Sequence, residues 1–290
     1  MKLDGRRESE NVDDRRRISG GTAAGMGIGG IIMAIAIAYF TNGGDLGSAI
    51  SQGVGQAMQQ SQNVETVDTE REFTEEEQKL ATFSSQILAG TEDVWTKVFQ
   101  SMGKTYKAPK MVLFTSAVNT GCGNATSAVG PFYCSADQAL YIDLSFFSLM
   151  EQKLGANGEF AYAYVIAHEV GHHVEYLLGI LNEGHGKMSR MSQTEANKVS
   201  QCIELLADYY AGVWGHFDNQ MFGSLEDGDI ENAINCAQVI GDDYLQKKAQ
   251  GYTQPESFNH GTSAQRMKWL KKGLNFDGNL IVKLPSYSEL

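Results

Sequence analysis

His168-Glu169-Val170-Gly171-His172 lies inside the longer run Phe160-Ala-Tyr-Ala-Tyr-Val-Ile-Ala-His168-Glu169-Val-Gly-His172-His173-Val174-Glu175-Tyr176-Leu177-Leu178. On a helix, residues i and i+4 share one face about one turn apart, so His168 and His172 can aim two imidazoles at one cation. Glu169 then stands where it can polarise a water on that cation. This is the H-E-x-x-H arrangement of zinc hydrolases, with the glutamate as general base. The residues before it, 160–167, are apolar or aromatic and predict a buried helix. A buried histidine pair beside a buried carboxylate is costly unless something compensates it, and a metal is the simplest compensation.

Catalytic zinc usually takes three protein ligands and a water. One class continues as H-E-x-x-H-x-x-G-x-x-H. This chain has Glu175 and Leu178 at those positions, which excludes that class. The other class takes a glutamate from a second helix. Downstream, Ile203, Leu206, Ala207, Tyr210 and Val213 recur at helical spacing. Glu204 and Asp208 are i and i+4 and border that apolar stripe. Glu204 is the candidate third ligand. Asp208 is placed to accept the free N–H of a ligand histidine. An exposed acidic helix face is the alternative reading of the same pair.

H-E-x-x-H followed by Glu204-Leu-Leu-Ala-Asp208 is the gluzincin pattern, and the wider chain resembles the neutral zinc metallopeptidase family of membrane-anchored bacterial proteins. The matching stretches are Gly5-Arg6-Arg7-Glu8-Ser9, Gly121-Cys122-Gly123, Gly130-Pro131-Phe132-Tyr133-Cys134, Ile142-Asp143-Leu144-Ser145-Phe146-Phe147, residues 168–173, residues 204–208 and His260-Gly261-Thr262-Ser263. The resemblance implies a Zn2+-dependent peptidase with ligands His168, His172 and Glu204 and base Glu169. It also suggests residues 139–144 as an edge strand that holds a peptide. It says little about which substrate is cut.

The 290 residues allow one large domain or two small ones, and the net charge of -12 argues against nucleic acid as a partner. Residues 1–21 are polar and carry Arg6, Arg7, Arg15, Arg16 and Arg17. Residues 22–40 carry no charge and are long enough to span a hydrocarbon core. They read as an uncleaved transmembrane anchor. Because the arginines precede it, the expectation is a cytoplasmic segment 1–21 and a catalytic domain outside the cytoplasm, on the inner membrane. Residues 41–72 are rich in Gly, Gln, Ser and Asn and read as a linker. Residues 73–290 are then the peptidase domain.

Within that domain Thr74 and Glu77 form a capping box. A helix is expected to about Leu88 and a second from Thr91. Residues 111–115 and 139–144 read as strands, and Leu140, Ile142 and Leu144 share one face. Cys122 and Cys134 flank a Gly/Ser/Asn-rich loop and suggest a disulfide in an exported domain. Cys202 and Cys236 either pair or stay as buried thiols. The metal helix opens at Asn157 or Gly158 and ends near Gly179. Residues 181–192 read as a polar loop with a solvated His185. The Glu204 helix runs from Thr194 to about His216, and further helices follow Asp229 and His260. The predicted fold is α+β: mainly helical, zincin-like, with a small sheet, after one transmembrane helix.

Peptide hydrolysis develops an oxyanion, and His260 is the chosen donor for it, with Arg266, Tyr209 and Tyr210 as rivals. The expected activity is zinc-dependent hydrolysis of a peptide or protein substrate. The alternative is a membrane-anchored binding or scaffold protein with a structural zinc.

Overall fold

Thr74 Oγ1 accepts the Glu77 N–H at 3.1 Å, and the Glu77 carboxylate accepts the Thr74 N–H at 2.9 Å. Helix α1 starts there. The structure is a computed structural model that describes residues 1–17 and 72–290. The expected span 22–40 and nearly all of the linker lie outside the described residues. Among the described residues no helix is long and apolar enough to cross a membrane.

A four-stranded sheet contains β1 (Val12–Asp14), β2 (Lys110–Phe114), β5 (Phe132–Cys134) and β6 (Ala139–Asp143), in the order β1-β2-β6-β5. β1, β2 and β6 are parallel, and β5 runs antiparallel to β6. The alternation of β2 and β6 separates two cores. Met111, Leu113, Leu140 and Ile142 enter the main core, while Val112, Phe114, Ala139 and Tyr141 form a smaller one. A hairpin of β3 (Ala117–Thr120) and β4 (Gly123–Thr126) sends Val118 against the smaller core. The Cys122–Cys134 disulfide ties that hairpin to β5.

The helical side holds α1 (Glu75–Ser101), α2 (Ser145–Leu149) with a π turn to Leu154, α3 (Glu159–Leu177), α4 (Ile180–Met188), α5 (Gln193–Phe222), α6 (Asp229–Val239), α7 (Asp242–Gln250) and α8 (Ser263–Leu274). α5 packs on α3 and on α8. It meets α8 at Gly212 and Gly273, where a Cβ on Gly273 would fall 2.0 Å from the Tyr209 carbonyl oxygen. Only a residue without a side chain allows that approach.

Several expectations are corrected. Strand β6 is interior, with both edges paired, so residues 139–144 are not a free edge. The terminal strand beside the metal helix is β5, which the sequence hid inside a loop. Helix α1 runs unbroken through Gly90, because Thr91 bonds back to the Leu88 carbonyl and stays helical. Residues 181–188 are helical: Gly184 lets α4 sit on Ile203, whose Cδ1 lies 2.6 Å from where a Cβ would be. The Glu204 helix is longer than expected and starts at a Ser192 cap. Of the two alternatives left open for Cys202 and Cys236, the structure has the buried free thiols. Finally, residues 1–17 are not a separate segment: Val12–Asp14 pairs with β2 of the peptidase domain.

Candidate metal centre

α3 presents His168 and His172 one turn apart, and α5 brings Glu204 to them. The two helices touch at Gly171, where a Cβ would lie 2.9 Å from the Ala207 carbonyl oxygen. The glycine inside the histidine motif thus sets the interhelical distance that lets Glu204 reach the pair.

His168 Nε2 is 3.2 Å from Glu204 Oε2, and His172 Nε2 is 3.6 Å from Glu204 Oε1. A tetrahedral zinc with bonds of about 2.0–2.1 Å needs ligand atoms about 3.3 Å apart. The three donors all lie within 4.8 Å of one another. Both Nδ1 atoms are engaged elsewhere. His168 Nδ1–H donates to Asp208 at 2.8 Å, and His172 Nδ1–H donates to Glu175 at 2.9 Å. Each imidazole therefore turns its Nε2 toward the Glu204 carboxylate, where the anion is balanced either by protons on Nε2 or by a cation between the three groups; two imidazoles and a carboxylate are a donor set that fits a divalent metal of zinc type.

Without a metal, protons on the two histidines take that place. Burial disfavours the His168 imidazolium, but the Asp208 carboxylate outweighs it and lifts the pKa to about 10 without a metal. His172 is raised likewise, with burial outweighed by Glu204 and Glu175. Burial works against ionisation of Glu204, yet the His172 charge and the His168 hydrogen bond hold it well below the usual carboxylate range. Glu169 sits beside this cluster, 7% exposed, and burial pushes its pKa up while both histidines oppose the shift. A carboxylate raised in this way is suited to taking and returning a proton.

Asp208 has further partners besides His168. It accepts from Tyr164 Oη at 2.5 Å and from Arg266 Nη2 and Nε at 2.8 and 2.9 Å. Arg266 is buried in that task, so it is not an open oxyanion donor. Tyr209 and Tyr210 are also committed: their hydroxyls donate to the Asn279 and Ile281 carbonyls.

His260 remains available. Its side chain is 43% exposed, and Asp242 Oδ1 holds its Nδ1 at 3.1 Å. The other oxygen of Asp242 accepts the backbone N–H groups of Asn259, His260 and Gly261 at 2.9, 2.8 and 3.1 Å. Burial works against the His260 imidazolium, while Asp242 and then Glu204 raise its pKa, so the ring stands within electrostatic reach of the third ligand.

Two carboxylates that hold histidines of the site, Glu175 and Asp242, escaped the sequence reading. Glu175 served only to exclude a motif, although its i+3 spacing from His172 could have marked it. Asp242 belongs to a distant helix start, and no local signal ties it to His260. His173, next to the second ligand, faces away from the site. Its Nε2–H donates to the Lys107 carbonyl at 2.7 Å, and its Nδ1 accepts from Tyr133 at 2.9 Å. Burial lowers its pKa to about 4. This neutral histidine links α3 to β5. His185 is exposed, as expected.

Residues 1–280 match the family described as "Putative neutral zinc metallopeptidase". The chain is 47% identical over 285 residues to the Escherichia coli K12 protein named "Uncharacterized protein YpfJ", covering 95% of each. It is 42% identical over 178 residues to "Uncharacterized protein Rv2575" of Mycobacterium tuberculosis H37Rv, covering 58% of this chain and 59% of that protein. No solved structure matches the chain.

Proposed function

The chain belongs to the neutral zinc metallopeptidase family, and on that premise we propose that it hydrolyses peptide bonds at a zinc ion held by His168, His172 and Glu204. The observation that carries this reading is the buried carboxylate of Glu169 beside three donors spaced for one tetrahedral metal. When bound, zinc lowers the pKa of a coordinated water to about 7 and polarises the scissile carbonyl. Glu169 takes the proton of the attacking water and passes it to the leaving amine. His260, its Nδ1 held by Asp242, offers Nε2–H to the developing oxyanion. Asp208 and Glu175 fix the tautomer and tilt of the two ligand histidines.

The substrate lies as an added strand along β5, the terminal strand of the sheet, because backbone hydrogen bonds give affinity with little demand on sequence. The Tyr133–His173–Lys107 chain supports this placement by tying β5 to the metal helix. A structural zinc would be closed by a fourth protein ligand. The group found among the described residues has three, which leaves a position for water.

Residues 22–40 attach the protein to a membrane in this reading, since they are uncharged and long enough to enter its core. The Cys122–Cys134 disulfide supports a peptidase domain in an oxidising compartment outside the cytoplasm.

Two variants test the catalytic reading. Glu169→Gln keeps bound zinc and the fold but loses at least about 100-fold in hydrolysis of an unstructured protein. Glu204→Gln lowers zinc occupancy after dialysis. Undiminished turnover in the first, or full occupancy in the second, overturns the assignment.

A further inference from the structure

The first 17 residues are bound into the domain that carries the metal centre. Lys2 N–H donates to the Ser224 carbonyl at 2.8 Å. Arg6 makes an ion pair at 2.8 Å with Asp218 on α5, the helix of Glu204, and that aspartate is 1% exposed. Ser9 Oγ and Asn11 Nδ2 both donate to Glu92 on α1, at 2.5 and 2.8 Å. Val12–Asp14 pairs in register with Met111 to Leu113. Arg16, 5% exposed, donates to the Glu77 carbonyl at 3.0 Å.

Gly90 explains how the ion pair fits. A Cβ there would lie 2.8 Å from Arg6 Nη2 and 2.9 Å from Asp218 Oδ1. Gly90, between the two helices expected from the sequence, is the place where α1 makes room for the N-terminal segment.

The arginines that set the topology expectation have structural partners. Arg6 meets Asp218, Arg7 meets Glu92 and Asp93, Arg15 meets Asp13, and Arg16 meets Asp14, each at 2.6–2.9 Å. Arg16 and Arg17 also lie over the ring of Phe73, at 4.0 and 5.3 Å from its centroid. Residues 16–17 and Phe73, on either side of residues 18–71 in sequence, therefore lie at one spot of the domain. Paired strands lie about 4.8 Å apart, whereas a hydrocarbon core is about 30 Å thick. β1 and β2 cannot pair from opposite faces of a bilayer.

We propose that residues 1–17 are an integral clasp of the peptidase domain and lie on the same side of the membrane as the metal centre. The arginines of residues 1–17 then stay with the domain and do not mark the opposite face of the membrane. This holds whether or not the catalytic reading does.

The test uses the full chain in cells. Glu8→Cys and Asp227→Cys place thiols at exposed positions of the clasp and of the domain, and the native free cysteines, Cys202 and Cys236, are buried. A membrane-impermeant maleimide is applied to intact, outer-membrane-permeabilised and lysed cells. Both positions should become reactive at the same stage. Labelling at opposite stages overturns the proposal and restores a single crossing. In parallel, Arg6→Ala leaves buried Asp218 without its cation and should lower the melting temperature of the purified full-length protein by roughly 5 °C or more. An unchanged melting temperature overturns the clasp.

Discussion

The two ligand histidines of α3 are held by carboxylates of opposite character. Asp208, behind His168, is saturated: it accepts from His168, Tyr164 and twice from Arg266. Burial works against its ionisation, yet Arg266 and His168 hold its pKa down to about 2. Glu175, behind His172, is equally buried but poorly supported. One oxygen accepts from His172, and Oε1 has no hydrogen-bond partner among the described residues. Burial lifts its pKa to about 7 against the pull of His172. One side of the metal centre is thus a fixed anion braced by α5 and α8. The other is a carboxylate whose charge depends on the histidine it orients. Histidine orientation alone does not require the Arg266 brace, so the heavier construction at Asp208 is explained by its second task of joining helices.

That contrast breaks first at Asp208. Asp208→Ala leaves the Arg266 guanidinium buried without its counter-charge and should cost about 3–5 kcal/mol in stability. It should also weaken zinc binding by about 10–100-fold. Chemical denaturation and a zinc-chelator competition read the two effects separately. If zinc affinity falls while stability holds, Asp208 serves only the metal and the brace is ornamental.

Glu175→Gln sharpens the contrast from the other side. Glutamine keeps the size and one acceptor for His172 Nδ1–H, and it adds an N–H that can meet solvent or a neighbouring carbonyl. Zinc affinity should fall by about 10-fold or less, at the low end for such partners. The melting temperature should stay near that of the parent, because no buried cation is orphaned. A loss as large as that of Asp208→Ala would show that the negative charge of Glu175 matters as much as its shape.

What could be read from the sequence follows the same divide between local and distant causes. His168, His172, Glu169, Glu204 and Asp208 were legible because helix periodicity alone places each within its own helix. The close approach that joins the two helices was not, since Gly171 gives no sign of facing Ala207. β5 was lost in a Gly/Ser/Asn-rich loop because a three-residue strand has too little alternation to see. Gly90 falls between two expected helices and Gly184 within an expected loop, while each glycine admits a neighbour to a continuous helix. The arginines of residues 1–17 read as a topology signal because their partners, Asp218 and Glu92, lie far along the chain. Those of Arg15 and Arg16, at Asp13 and Asp14, were close enough to have been noticed.

The smallest effect is that of Asp242→Asn, felt through His260, whose carboxylate partner is again of the bracing kind. Burial works against the His260 imidazolium, and Asp242 outweighs it, so the folded pKa is raised. The charged ring is present below that pKa and is lost as pH rises through it. If the imidazolium donates to the oxyanion, kcat must decline along an alkaline limb set by this group. Asp242→Asn keeps an oxygen that can accept from the N–H groups of Asn259, His260 and Gly261, but it removes the charge. The limb should then move to lower pH, with kcat on the acidic plateau within a few-fold of the parent. His260→Gln should remove the limb and lower kcat by about 100-fold. A pH profile of kcat for the three proteins decides. If Asp242→Asn lowers kcat equally at every pH without moving the limb, Asp242 only orders the loop, and the oxyanion donor must be sought elsewhere.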